Sequence, residues 1–411
     1  MKTISQHSEH EAALRLLSAE AVRDRCCHVR SARDHLTYFR VHDDRLETVA
    51  DYVLETTRQN YPDLNIPFHA RWRHFVFDQV DRWQQLAATV NGDAGELARS
   101  RIDLVVTSVL LDAGAGPEWR YRDARTGKDV RRSEGLALAS LDGFAAGLFS
   151  SSGRTNLVAD ADALKAITAT TLGAAFQVTP DNPLQGLEGR AALLRALGAT
   201  VAQHPELFPG QVPRVGNLFN WIKQEMGDEV DATDLLNLVL RAFGGIWPGR
   251  LTLGGVNLGD TWQHPSVKAT DGTDGLIPFH KLSQWLTYSL IEPLQDTGLR
   301  VTNTDGLTGL AEYRNGGLFV DLGALEVRDR TLLDVAHHPG DTFIVEWRAL
   351  TVALLDEVAM MIRRKLNRRP EDLPLASILE GGTWSAGRRI SATLREDASP
   401  PIQIKSDGSV F

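Results

Sequence analysis

Pro278-Phe-His-Lys-Leu-Ser-Gln-Trp-Leu-Thr-Tyr288 and, beyond a Thr/Asn/Asp/Gly turn, Leu310-Ala-Glu-Tyr-Arg-Asn-Gly-Gly-Leu-Phe-Val-Asp321 decide how this chain is read. The first stretch carries helical periodicity. Lys281, Gln284 and Tyr288 fall at i, i+3 and i+7 on one face, with Leu282, Leu286 and Leu290 turned toward another. The second sets a carboxylate, a phenol and a guanidinium side by side before a glycine pair. A core helix needs none of these at the head of an apolar run. Two glycines let backbone approach a ligand closely. The cluster suits a site for a small anionic sugar, although a Glu–Arg pair tying down a turn has the same residues.

Outward from this segment the helical pattern recurs. Ala12–Leu17, Leu46–Leu54 and the run after Ser133 space apolar residues by three and four. A long helix is expected from about Asp341 to Leu366, with Asp341 as N-cap and Trp347, Leu350, Leu354, Val358 and Met361 on one stripe. The basic residues Arg363–Arg369 close it and complement its dipole. Arg101–Leu111 reads equally as helix or strand. A hairpin is expected over Trp119–Val130 around Thr126-Gly127, and a strand over Leu318–Leu325. Gly244–Gly259 reads as loop feeding Asp260-Thr-Trp-Gln-His264, a wall or lid for a site. The segment Pro67–Phe75 is dense in aromatic and basic side chains, and the tail after Asp397 reads as loose. The expectation is a mainly α fold with a few short strands: one large helical domain, or two closely packed lobes. In the second case about 1–150 plus 245–330 would line the site and 155–240 would form a helical lobe.

Bulk properties narrow the function. The 411 residues are 43% hydrophobic and 24% charged, which fits a globular chain with a large core. A net charge of −9 argues against a general nucleic-acid binder. The only cysteines, Cys26 and Cys27, are adjacent and build no disulfide framework, so a cytoplasmic home is expected. No apolar run approaches the roughly 20 residues of a membrane span. Histidines lack metal-ligand spacing, and no phosphate-binding glycine loop or serine elbow occurs, so neither metal nor organic cofactor is expected. Competing carboxylates are Asp112 at a glycine-rich break, Glu134 at a helix start, Asp260 beside Trp262 and His264, and Asp321. Asp260 and Asp112 also read as ordinary caps.

Five strings together carry a resemblance: Leu111–Tyr121, Arg132–Ala137, Gly255–Trp262, Pro278–Lys281 and Leu307–Gly317. They resemble an uncharacterised-domain family linked to the pyrimidine-ring-opening route of uracil catabolism in fungi and bacteria. That resemblance spans nearly the whole chain and implies cleavage of a ribosyl–urea bond. Phe279-His-Lys-Leu-Ser-Gln284 with Ala311-Glu-Tyr-Arg314 is also similar to the paired motifs of queuosine-5′-phosphate N-glycohydrolases, helical proteins distantly similar to DNA glycosylases. Lys281, Tyr313 and Arg314 match that pattern. Glu312 stands where those proteins have Asp.

The expectation is a metal-independent N-glycosyl hydrolase that releases urea from ribosylurea or its 5′-phosphate. Glu312, with Asp260, would be catalytic. Lys281, Arg314, Tyr313, Gln284, Asp112, Trp119, Glu134, Trp262 and His264 would hold substrate, the two cations on phosphate or ribose oxygens. The alternatives are a noncatalytic binding protein for the ring-opened nucleotide and an N-glycohydrolase of another modified nucleoside 5′-phosphate.

Overall fold

The computed structural model describes residues 6–90, 92–153, 157–247 and 250–405. They form a mainly helical fold whose strands are two or three residues long and pair only two by two. The chain divides into two compact units. The first takes residues 1–69, 249–284 and 303–405, and the second takes 70–248 and 285–302. Residues 70–150, expected beside 1–69, fall instead with the 155–240 segment.

The spine of the first unit is the helix Thr342–Leu366, which begins after Asp341 as its sequence indicates. It packs against Ala19–Ser31, Leu46–Asn60 and Tyr313–Asp321. The stripe residues Trp347, Leu350, Leu354 and Val358 are buried. Asn367 at φ +50 ends the helix in the left-handed conformation. The basic residues at its end act individually: Arg363 donates to Leu373 O and Asp305, and Lys365 pairs with Asp51 at 2.8 Å. Phe39–Val41 pairs antiparallel with Leu325–Val327, and Thr261–Gln263 with Leu276–Pro278.

Three expectations need correction here. Leu318–Asp321 is not strand: Tyr313–Asp321 is a helix, and the strand starts only at Leu325. Glu312 caps that helix, and its glycines permit close packing, since a Cβ on Gly316 would lie 2.7 Å from the Trp347 ring. The stretch at Pro278 begins as strand, with the helix starting at Lys281. The tail is ordered through Lys405: Ile402 is buried and Gln403–Ile404 pairs parallel with Ala336–His337. Within 244–259, Gly244–Ile246 forms a 3-10 turn and Thr252–Leu253 a hairpin with Val256–Asn257, while 248–249 lie outside the described residues.

In the second unit, Arg101–Leu110 resolves as the end of the helix Ala94–Leu110, which packs on Arg132–Ala145 and Leu187–Gln203. The hairpin falls where expected, Tyr121–Arg122 against Asp129–Val130, with Gly127 at φ +66 in its turn. The helix Lys281–Gln295 gives its first turn to the first unit and the rest to the second. Every residue from Lys281 to Ile291 is buried, the signature of an interior helix. Among the described residues no helix is long and apolar enough to cross a membrane.

Candidate active site

The site in the first unit is assembled around one buried arginine. Arg348 lies on the spine helix and is 2% exposed. Its two terminal nitrogens donate to the two oxygens of Asp260, at 2.9 and 2.8 Å. Its Nε donates to Ala311 O at 3.3 Å, and its guanidinium lies 4.1 Å from the Phe279 ring centre. One side chain thus fastens three separate segments: the strand at 261, the approach to the helix at 281, and the residue before Glu312. Asp260 also accepts from Trp262 Nε1 at 2.7 Å and from the Lys281 backbone N–H at 3.0 Å. Burial would raise its carboxyl, but the Arg348 charge and these hydrogen bonds outweigh burial and hold it below the ordinary value. Asp260 is therefore a cap, but for a helix start 21 positions further along the chain.

His280, just before that start, sits at φ +47, a left-handed conformation that costs a non-glycine residue roughly 1–2 kcal/mol. Two contacts fix it: its Nε2 lies 2.9 Å from Leu16 O, and its carbonyl accepts from Gln284 N at 2.8 Å. Burial lowers its pKa, so the ring is held neutral. Strained residues of this kind gather at functional sites.

Glu312 is 8% exposed and caps the helix Tyr313–Asp321. Its oxygens accept from Arg314 N at 2.8 Å and Asn315 N at 2.6 Å. Burial pushes its carboxyl above the ordinary value, opposed by those N–H groups and by the charges of Lys281 and Arg314. Lys281 is 9% exposed, and its charge is among those that oppose the rise of the Glu312 carboxyl. Gln284 is wholly buried and exchanges hydrogen bonds with Thr308, accepting from its N–H at 2.9 Å and donating to its hydroxyl. Arg314 lies 5.5 Å from the Tyr313 ring centre and donates to Ser391 Oγ and Ala398 O.

The structure therefore places Glu312, Lys281, Gln284, Tyr313, Arg314, Asp260 and Trp262 in the first unit, with Asp260, Trp262 and the Lys281 backbone joined directly around Arg348. His264 lies in the same unit with both ring nitrogens engaged, Nδ1 by Ser266 N and Nε2 by Glu346 at 3.3 Å.

Asp112, Trp119 and Glu134 belong to the second unit. Trp119 is wholly buried and spends its indole N–H on Phe176 O. Asp112 pairs with Arg71 at 2.7 Å. Burial pulls the Arg71 guanidinium below its ordinary value, while Asp112 and Glu134 oppose that. Sequence reasoning did not single out Arg348 or Arg71. Each is a charge inside an aromatic or apolar run, and a buried charge requires a partner.

Comparison with known proteins adds to this geometry. The model of a family described as "Protein of unknown function (DUF1688)" matches residues 15–411. The chain belongs to that family. Among similar proteins, Protein urg3 of Schizosaccharomyces pombe is 39% identical over 98% of this chain and 99% of its own. Uracil catabolism protein 4 of Lachancea kluyveri is 37% identical over 91% of this chain and 92% of its own.

Proposed function

We propose that the protein acts in uracil catabolism as an N-glycosyl hydrolase that splits ribosylurea, or its 5′-phosphate, into urea and ribose or ribose phosphate. The observation that carries the reading is the buried Glu312 carboxylate at the head of a capped helix, where burial raises it and the Lys281 charge opposes that rise. A relative alike over nine-tenths of the chain bears a uracil-catabolism name, which supports the pathway.

Cleavage of an N-glycosidic bond passes through an oxocarbenium-like state. The Glu312 carboxylate stabilises that cation as the C–N bond breaks and takes a proton from the attacking water, and that proton passes on to the departing urea nitrogen. A carboxyl raised by burial is a better base near neutral pH than an exposed glutamate. Lys281 balances the negative charge and holds a ribose or phosphate oxygen. Asp260 and Arg348 position rather than react, because Asp260 is engaged by four donors. The test is urea release from synthetic ribosylurea, with and without 5′-phosphate, by wild type and Glu312→Gln. Release by wild type alone supports the reading. Binding without release by wild type favours a carrier of the ring-opened compound instead.

A further inference from the structure

In the second unit, Arg71 is 0% exposed and its hydrogen bonds are unevenly shared. Nε donates to Ser108 Oγ at 2.8 Å. Nη1, with two hydrogens, has four acceptors: Asp112 Oδ1 at 2.7 Å, Ser133 Oγ at 3.0 Å, Ser133 O at 3.1 Å and His74 Nδ1 at 3.2 Å. Nη2, equally buried, has no partner among the described residues. An unsatisfied buried donor on a charged group is costly and calls for an acceptor from outside. On the same ion pair, Asp112 Oδ1 takes both Arg71 Nη1 and Ser133 Oγ, the latter at 2.6 Å. No hydrogen bond among the described residues engages its Oδ2.

The surroundings are built to hold this pair still. Buried Arg190 donates to the carbonyls of Leu111, Ala113 and Gly114, which fixes the loop bearing Asp112. Arg132, immediately before Ser133, takes a strained left-handed φ of +58 at the start of a 14-residue helix. Two carboxylates, Asp112 and Glu134, act on the Arg71 charge. Arg190 acts on both Arg71 and Asp112, so two guanidinium charges stand against two carboxylates, and a neutral acceptor satisfies Nη2 without adding an unpaired buried charge. A donor and an acceptor carried by one fixed pair match a carbonyl and an N–H carried side by side.

We propose that the second unit holds a recognition site for a neutral planar amide edge, with Arg71 Nη2 donating to its carbonyl and Asp112 Oδ2 accepting its N–H. That this edge belongs to a ureide rests on the reading above; the donor–acceptor pair does not.

The probe is N-methylurea, which has no glycosidic bond, titrated by calorimetry beside uracil and acetate. N-methylurea is expected to bind wild type, and Asp112→Asn to weaken it at least tenfold. Glu312→Gln, which leaves this pair intact, should bind it as wild type does. Uracil binding with N-methylurea excluded would keep the amide edge but refute the ureide. Acetate binding as well as N-methylurea, or an unchanged affinity in Asp112→Asn, overturns the proposal. Should Asp112→Asn not fold, a crystal of unaltered protein grown with N-methylurea decides, by whether the compound bridges Nη2 and Oδ2. Binding of N-methylurea by a protein that releases no urea from ribosylurea would refute only the hydrolase.

Discussion

Replacing Asp260 by asparagine strips the Arg348 guanidinium of its counter-charge without changing side-chain size. Arg348 is 2% exposed and Asp260 14%, so the pair belongs to the buried class rather than to surface pairs worth about 0–1 kcal/mol. Removing one partner of a buried pair costs about 3–5 kcal/mol, because the other charge stays desolvated. The new amide would also turn an N–H toward groups that are all donors. For a unit of roughly 200 residues this corresponds to a fall of roughly 6–20 °C in Tm. The assay is guanidinium chloride unfolding followed by tryptophan fluorescence; urea is avoided because it is the proposed product. Arg348→Met should cost a similar amount. The double variant should lose about 2 kcal/mol less than the sum, since neither partner is then stranded. Acidification gives a second reading. Because the folded Asp260 titrates below its ordinary value, its contribution is present above the unfolded carboxylate range and lost as pH falls through the folded value. Asp260→Asn should remove that part of the acid sensitivity. A single variant within about 0.5 kcal/mol of wild type, or strict additivity of the two, would refute the clamp.

Glu312→Gln should lower urea release from ribosylurea by about 10²–10⁴-fold, measured by coupled urea assay. Its stability cost should be about 1 kcal/mol, since one of two capping acceptors is lost. Because burial raises the Glu312 carboxyl, kcat/KM in wild type should climb with pH through a midpoint above 4.5, and Glu312→Gln should lack that limb. The same shift has the opposite sign for stability: the contribution of Glu312 is full below the unfolded value and lost as pH rises through the folded one. Gly387→Ala should destabilise by about 1–3 kcal/mol in the same denaturation assay, because its Cβ would come 2.2 Å from Arg314 O and push the helix that Glu312 caps.

The helical elements were legible because a three-and-four spacing marks a buried face wherever it occurs, as along Trp347–Val358. The run Leu318-Phe-Val-Asp321 misled because three apolar residues fit either period, and the N-cap before them is a glutamate, not one of the commoner capping residues. Glu312, Lys281 and Gln284 stood out as polar groups at the head of apolar runs. Asp260 was visible as a cap, but its helix lies far along the chain, and local spacing carries no such information. Arg348, in Trp347-Arg-Ala-Leu-Thr-Val-Ala-Leu-Leu355, was hidden inside the very stripe that announced the helix. A lone cation among eight weakly polar neighbours is itself the signal that could have found it.

The first unit is interleaved with the second along the chain, and this bears on how the protein is made. Phe39 pairs with Val327, and Tyr38 and Phe39 donate to Glu346. At synthesis rates of about 5–20 residues per second, the N-terminal helices wait roughly fifteen to sixty seconds for those partners to leave the ribosome. Residues 70–248 emerge during that interval as one uninterrupted stretch. The amino-terminal apolar faces are meanwhile uncovered, which marks them as the part of the nascent chain that chaperones would need to shield.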